Sequence, residues 1–104
     1  MAPNANIIKE IRDYRKILEA SGLNIVDFYL YGSYATNTAT KDSDIDVAII
    51  SDAFTGNRFV DSMKIIRLKN KIDLRIEPTT FCPQDFIDED PLVDQIKKYG
   101  IKIK

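Results

Sequence analysis

The sequence contains no histidine, and Cys82 is its one cysteine. Without imidazole or a second thiol, the usual zinc ligand sets cannot be assembled within one chain and no intrachain disulfide can form. Cys82 has no histidine to activate it and nothing nearby in sequence to lower its pKa, so a structural thiol is expected rather than a nucleophile. Long apolar runs are also missing: no segment approaches the roughly 20 apolar residues of a spanning helix, and the N-terminus lacks a basic stretch followed by an apolar run. A cytoplasmic protein with no membrane association is the expectation. Charge of one sign is lacking too. The formal net charge is -1, and no basic stripe occurs outside the last eight residues. No long-range field therefore gathers nucleic acid, and direct DNA binding is not expected. Any phosphate has to be captured locally.

What is present is the balance of a folded globular chain: 104 residues, 44% apolar and 30% charged. With no repeat, low-complexity tract or linker to divide it, residues 1–104 are expected to form one domain. Ile7, Ile11, Tyr14 and Leu18 fall at helical spacing, with Asn4 or Asn6 as the cap and Gly22 as the left-handed stop. Residues 25–31 are rich in β-branched and aromatic side chains, with Val26, Phe28 and Leu30 on one face of a strand. Residues 45–51 form a second strand whose near-continuous apolar run suits the inside of a sheet. Asn57 caps a second helix in which Phe59, Val60, Met63 and Ile66 or Arg67 recur at helical spacing. Residues 71–77 alternate, Ile72, Leu74 and Ile76 against Asp73, Arg75 and Glu77, and read as a strand that Pro78 ends. Asp90-Pro91 starts a last helix with Leu92, Val93 and Ile96 on its buried stripe, Gly100 stops it, and residues 101–104 suit a short edge strand. This order favours an α+β fold, a small mixed sheet with helices packed mainly on one face.

The informative segment is Tyr31-Gly32-Ser33, ten intervening residues, then Asp44-Ile45-Asp46 leading into the apolar strand. Alternation along a strand sends Asp44 and Asp46 to the same side. Two carboxylates so close repel unless cations sit between them, and hard oxygen donors without imidazole or thiolate select Mg²⁺ or Mn²⁺. If the strand carrying Asp73 neighbours that of Asp44, three carboxylates converge and can hold two Mg²⁺ ions roughly 3.5–4 Å apart for in-line phosphoryl displacement. Asp73 could then also act as general base. Glu77, two residues along on the same face, competes for this place. Gly32 lets a phosphate approach the backbone, Ser33 adds a hydroxyl, and Lys41 and Lys71 are further phosphate contacts to consider.

Gly32-Ser33, the spacer, Asp44-x-Asp46 and the later Ile72-Asp73-Leu74 together resemble the minimal nucleotidyltransferases of the DNA polymerase beta superfamily, and the ending from Asp90-Pro91-Leu92 to Gly100-Ile101-Lys102-Ile103 looks like that family's usual close. The resemblance implies a nucleotide-phosphate turn at Gly32 and Ser33. It implies two Mg²⁺ ions, or Mn²⁺, on Asp44 and Asp46 with Asp73 completing the site, and a nucleoside triphosphate, ATP first, as substrate. Many relatives carry arginine then glycine where this chain has Thr36 and Asn37. Asn37 can replace glycine at positive φ, but Thr36 lacks the arginine's charge for phosphate. Larger relatives have a second, acceptor-binding domain for which these residues leave no room. Short members often act as antitoxins paired with a helical HEPN ribonuclease toxin, some by adenylylating a toxin tyrosine, so homo- or hetero-oligomers are to be expected.

Blander assignments cover the remaining features. Asp85, Asp88, Glu89, Asp90 and Asp94 surround a helix start where negative charge suits the dipole. Tyr29, Tyr31 and Tyr34 sit in or beside a strand and more often border a core than stack on a base. Three functions stay open: transfer of AMP onto a hydroxyl of a partner protein, neutralisation of a partner by steric masking without catalysis, and transfer onto a small molecule.

Overall fold

The computed structural model describes residues 5–104, apart from the Lys64 side chain. Helix α1, Ala5–Ala20, buries the expected stripe of Ile7, Ile11, Tyr14 and Leu18. Its end is closed by Gly22 at φ 101 and by the Leu23 N–H donating to the Leu18 carbonyl at 3.1 Å. Asn4 lies outside the described residues, and Asn6 falls inside the helix rather than capping it. Strand β1, Ile25–Tyr31, runs antiparallel to β2, Ile45–Ser51. A register shift between Ile25 and Asp27 takes Val26 out of the ladder and leaves it exposed, so Ile25, Phe28 and Leu30 form the buried side instead of Val26, Phe28 and Leu30.

Helix α2, Arg58–Lys69, starts where expected: the Asn57 side chain accepts from the N–H groups of Phe59 and Val60. Its orientation does not follow the most apolar stripe. Phe59, Val60, Met63 and Ile66 are exposed, whereas Asp61, Ile65 and Lys69 are buried. Two of those buried residues are charged, and each is tied down. Asp61 accepts from Thr55 N at 2.8 Å, Thr55 Oγ1 at 2.9 Å and Gly56 N at 3.1 Å, and Lys69 Nζ donates to the Ile76 carbonyl at 2.6 Å. Such bonds compensate burial of a charge and so fix which face turns inward.

The expected strand over 71–77 begins only at Ile76. Residues 71–75 form turns, because Asp73 accepts from the backbone and side chain of Arg75 and bends the chain, and β3 is Ile76–Phe81. Pro78 lies inside this strand and does not end it. It is tolerated because β3 is an edge: the sheet order is β3-β2-β1-β4, with β3 parallel to β2 through α2. Helix α3, Pro91–Tyr99, is capped by Asp90, and β4, Ile101–Lys102, pairs antiparallel with β1 on the other edge.

The sheet is covered on both faces, unequally. Ile45, Val47 and Ile49 of β2 join α1, Phe28, Leu30, Ile65 and Ile76 in the larger core. Ala48 and Ile50 face the other way and meet Phe81, Val93 and Ile96, so α1 and α2 share one face while α3 takes part of the second. The alternation of β2 puts Asp46 on that second face, beyond the end that α3 covers. Among the described residues no helix is long and apolar enough to cross a membrane.

Candidate active site

Asp46 sits between two neighbours in the sheet, Tyr31 on β1 and Glu77 on β3. Asp44 precedes β2 by one residue. Burial first, then the negative charges of Asp44 and Glu77, push the Asp46 carboxyl above the usual carboxylate range. Acids elsewhere in the chain find cations: Asp73 meets Arg75 at 2.7 Å and Asp27 meets Lys102 at 2.9 Å. Among the described residues, no hydrogen bond or ion pair reaches the carboxylates of Asp44, Asp46 or Glu77. Like charges held together without compensation are what a cation would relieve. The three side chains do not converge on one point as they stand, and no group of three or more acidic or thiol side chains among the described residues has metal-holding spacing. Asp44 and Glu77 are exposed, however, and both can turn about their side-chain bonds toward Asp46.

Gly32 follows β1 at φ 74, and a Cβ at this position would overlap the Asp46 carboxylate. Glycine is therefore required twice, by the backbone angle and by the acid pressed against it. Gly32–Tyr34 make a tight 3-10 turn whose first N–H groups have no acceptor within the turn. The Gly32 carbonyl accepts from Ala35 N at 3.1 Å and from Thr36 N at 3.2 Å, and the Ser33 carbonyl accepts from Thr38 N at 2.9 Å. Asn37 takes φ 62, the left-handed conformation a glycine would otherwise supply. The Thr36 hydroxyl is turned onto the Gly32 carbonyl at 3.3 Å.

Tyr31, the β1 partner of Asp46, reaches across β2. Its hydroxyl meets Thr79 Oγ1 at 3.0 Å, although β2 separates the two strands. The residue between them is Ala48, paired with both Tyr29 and Thr79, and only a small side chain leaves room for the ring to cross. Burial pushes the Tyr31 hydroxyl up; Asp46 and Glu77 add to this, and the Thr79 bond and Arg58 oppose it.

Asp73 stands elsewhere. Its two oxygens receive Arg75 N at 2.9 Å, Nε at 3.1 Å and Nη2 at 2.7 Å. The Arg75 bonds hold its carboxyl down at about 2, against the opposing effect of burial. Glu10, on α1, is pushed the other way by burial and by the neighbouring Asp73 carboxylate. The same guanidinium donates to the Tyr34 hydroxyl at 3.0 Å and the Lys41 carbonyl at 3.4 Å, and Tyr34 donates to the Thr40 carbonyl. Thus the structure groups Gly32, Asp44, Asp46 and Glu77, while Asp73 anchors an arginine that pins the loop between the turn and β2. The Asp73-x-Arg75 spacing was the available sign of this bond, since an aspartate commonly binds the backbone two residues on. The reach of Tyr31 over Ala48 had no sequence signal. Lys41 and Lys71 are exposed, and Cys82 is buried, its thiol donating to the Phe54 carbonyl at 3.2 Å.

The mixed four-stranded sheet with its flanking helices has a counterpart among solved structures. The crystal structure of a candidate nucleotidyltransferase from Sulfolobus solfataricus is similar in fold, with a TM-score of 0.68 at 18% identity over 92% of this chain and 78% of that chain. A family model described as nucleotidyltransferase domain matches residues 8–103. The chain belongs to this nucleotidyltransferase domain family, whose activity is nucleotidyl transfer. A search of curated proteins returned no match.

Proposed function

We propose that this protein transfers a nucleoside monophosphate, AMP from ATP, onto a hydroxyl of a partner protein in a Mg²⁺-dependent reaction, with Asp44, Asp46 and Glu77 as the carboxylate set. The observation that carries this reading is the uncompensated Asp46 carboxylate, raised by burial and by the charges of Asp44 and Glu77 and pressed against Gly32. An oxygen-only donor set of this kind fits Mg²⁺ or Mn²⁺, which when bound would neutralise the triphosphate and the charge that develops during transfer. The chain's own residues supply position. The turn at Gly32 and Ser33 offers N–H groups and a hydroxyl to phosphate oxygens, and Gly32 lets them come close to Asp46. As the bond from the acceptor oxygen to the α-phosphorus forms and the bond to pyrophosphate breaks, the acceptor proton passes to a carboxylate. Glu77, exposed and without a cation, suits that role. Asp73, with a carboxyl held at about 2, is a poor base, and positioning Arg75 is the role it keeps.

On family analogy the acceptor is a HEPN-type ribonuclease toxin and this chain its antitoxin. Intact-mass spectrometry of the protein and its co-purifying partner, incubated with Mg²⁺ and each nucleoside triphosphate, tests the proposal. A nucleotide-sized gain on the partner is expected with wild type and not with Asp44→Asn. An equal gain with Asp44→Asn would overturn the metal assignment. A second reading, masking of the partner without catalysis, is favoured by Thr36, whose hydroxyl is spent on the Gly32 carbonyl and which brings no charge to phosphate. It expects no mass gain, and full protection of cells by Asp44→Asn.

A further inference from the structure

Arg58 stands on the azimuth of α2 that carries the buried Asp61 and Ile65. It is nonetheless exposed, because at the first turn of the helix that azimuth meets the free edge of β3 instead of the core. Its guanidinium lies 4.8 Å from the Phe81 ring centroid, and Phe81 belongs to the sheet face that carries Asp46 and Glu77. Among the described residues no ion pair reaches Arg58.

Two recesses meet at this arginine. One, of about 330 Å³, is lined by Arg58, Phe81, Asp85 and Asp90 among others, and its acids oppose an anion. The other, of about 290 Å³, is lined by Arg58, Phe59, Ser62, Pro78, Thr79 and Thr80, with no acid among them. Its polar side chains are one guanidinium and three hydroxyls. Ser62 donates to the Phe59 carbonyl at 3.0 Å, and Thr79 shares its hydrogen bond with Tyr31. Thr80 is different: it is 3% exposed, it lines both recesses, and its hydroxyl is buried without a hydrogen-bond partner. A buried hydroxyl left unpaired costs stability, and a ligand oxygen would relieve that cost.

The acid-free recess lies one pleat from the acid row. Glu77 and Thr79 share a face of β3 and stand about 7 Å apart along the strand. Gly32 presses on Asp46 from the β1 side, so phosphates held by its turn leave the β3 side of the row to the acceptor. A nucleic acid needs a row of cations to follow its phosphates, and here one cation stands among Asp44, Asp46, Glu77 and Asp85. Such a setting suits a single carboxylate at a fixed distance from the attacking hydroxyl. We propose that Arg58 selects the acceptor by binding an aspartate or glutamate next to the modified hydroxyl, seated in the recess between α2 and β3 with the Thr80 hydroxyl beside it. This rests on the reading of the site as a transferase acting on a protein hydroxyl, and it names the hydroxyls preferred, those within an acidic segment.

The test begins with the isotope-labelled full chain, without nucleotide or metal, titrated by NMR with two short peptides. One is a tyrosine flanked by glutamates, and its twin carries lysines in their place. The acidic peptide should shift the amides of Arg58, Ser62, Thr79 and Thr80 saturably, and bind at least about fivefold more tightly than its twin. Arg58→Gln should remove that difference, Arg58→Lys keep it and Arg58→Glu reverse it, a pattern that loss of structure alone does not produce. Thr80→Val should weaken the acidic peptide while raising the melting temperature, since it deletes an unpaired polar group. With Mg²⁺ and ATP added, Arg58→Gln should raise KM for the acidic peptide and leave kcat unchanged. Saturable binding at these amides with no mass gain on either peptide would sink the transferase reading and leave carboxylate recognition standing. Equal affinity of the twins, or shifts confined to other parts of the chain, overturns the proposal. Tighter binding of a short oligothymidylate at the same amides overturns it in favour of a nucleic-acid acceptor.

Discussion

Gly32 is the residue at which backbone, carboxylate and turn meet, and Gly32→Ala separates their contributions. At φ 74 an alanine carries the left-handed penalty of about 1–2 kcal/mol. For a domain of this size that corresponds to a fall in melting temperature of roughly 4–8 °C per kcal/mol. The new methyl also overlaps the Asp46 carboxylate, which must swing away because the turn is fixed by the bonds to the Gly32 carbonyl. Displacing a reacting group by about 1 Å can cost about a hundredfold in rate. Gly22→Ala is the matched control: it has φ 101 with nothing within 4 Å of its new methyl, and it lies at the end of α1. The two variants should lose similar stability by differential scanning fluorimetry, while Mg²⁺-dependent triphosphate binding by calorimetry fails in Gly32→Ala alone. If Gly32→Ala binds as wild type does, or if Gly22→Ala loses binding equally, the link between this glycine and the acid cluster is refuted.

Three further outcomes follow from bonds on the page. The Asp73 carboxyl is held at about 2 by Arg75, below its ordinary value near 3.8, so its stabilising effect is complete above about pH 4 and lost as pH falls toward 2. Urea denaturation across this range should show Asp73→Asn less stable than wild type at pH 6, with the gap closing below pH 4; a gap that is constant with pH would contradict the ion pair. Because Asp44 and Glu77 add to burial in raising Asp46, Asp44→Asn should lower the Asp46 pKa in a carboxyl NMR titration, and an unmoved or raised value would mean that the two side chains do not interact. Asp61→Ala leaves the donors of Thr55 and Gly56 without their acceptor and should cost about 2–4 kcal/mol by chemical denaturation, whereas a loss below about 0.5 kcal/mol would show the buried carboxylate to be dispensable.

Much of this architecture could be read from local chemistry. Both inner strands run over the expected residues, Gly22 stops α1, and Asn57 and Asp90 cap their helices, because each signal is decided within a few residues. The glycine-serine turn and Asp44-x-Asp46 were legible for the same reason. The failures share a cause, competition between two locally acceptable patterns that only long-range packing resolves. In α2 the Phe59–Met63–Ile66 stripe is the more apolar, yet Ile65 and Leu68 lie under it with Asp61 and Lys69, whose partners sit in a distant loop and strand. Over 71–77 the alternation of Ile72, Leu74 and Ile76 imitates a strand, and the Asp73–Arg75 bond turns it into a bend. That delay carries Glu77, rather than Asp73, into register with Asp46.

The treatment of the outer edge of β3 governs how this small molecule can meet others. An open edge strand recruits company through its main chain, which every sequence possesses, and such contacts are therefore undiscriminating. Here a proline and a lysine quiet that edge at Pro78 and Ile76, while a row of apolar side chains on α2 stays exposed. Recognition built on side chains is written in residues that can be exchanged one at a time without disturbing the sheet. Relatives with the same acid pair and glycine turn can thus diverge in the company they keep by altering one turn or two of a single helix, with the chemistry left in place.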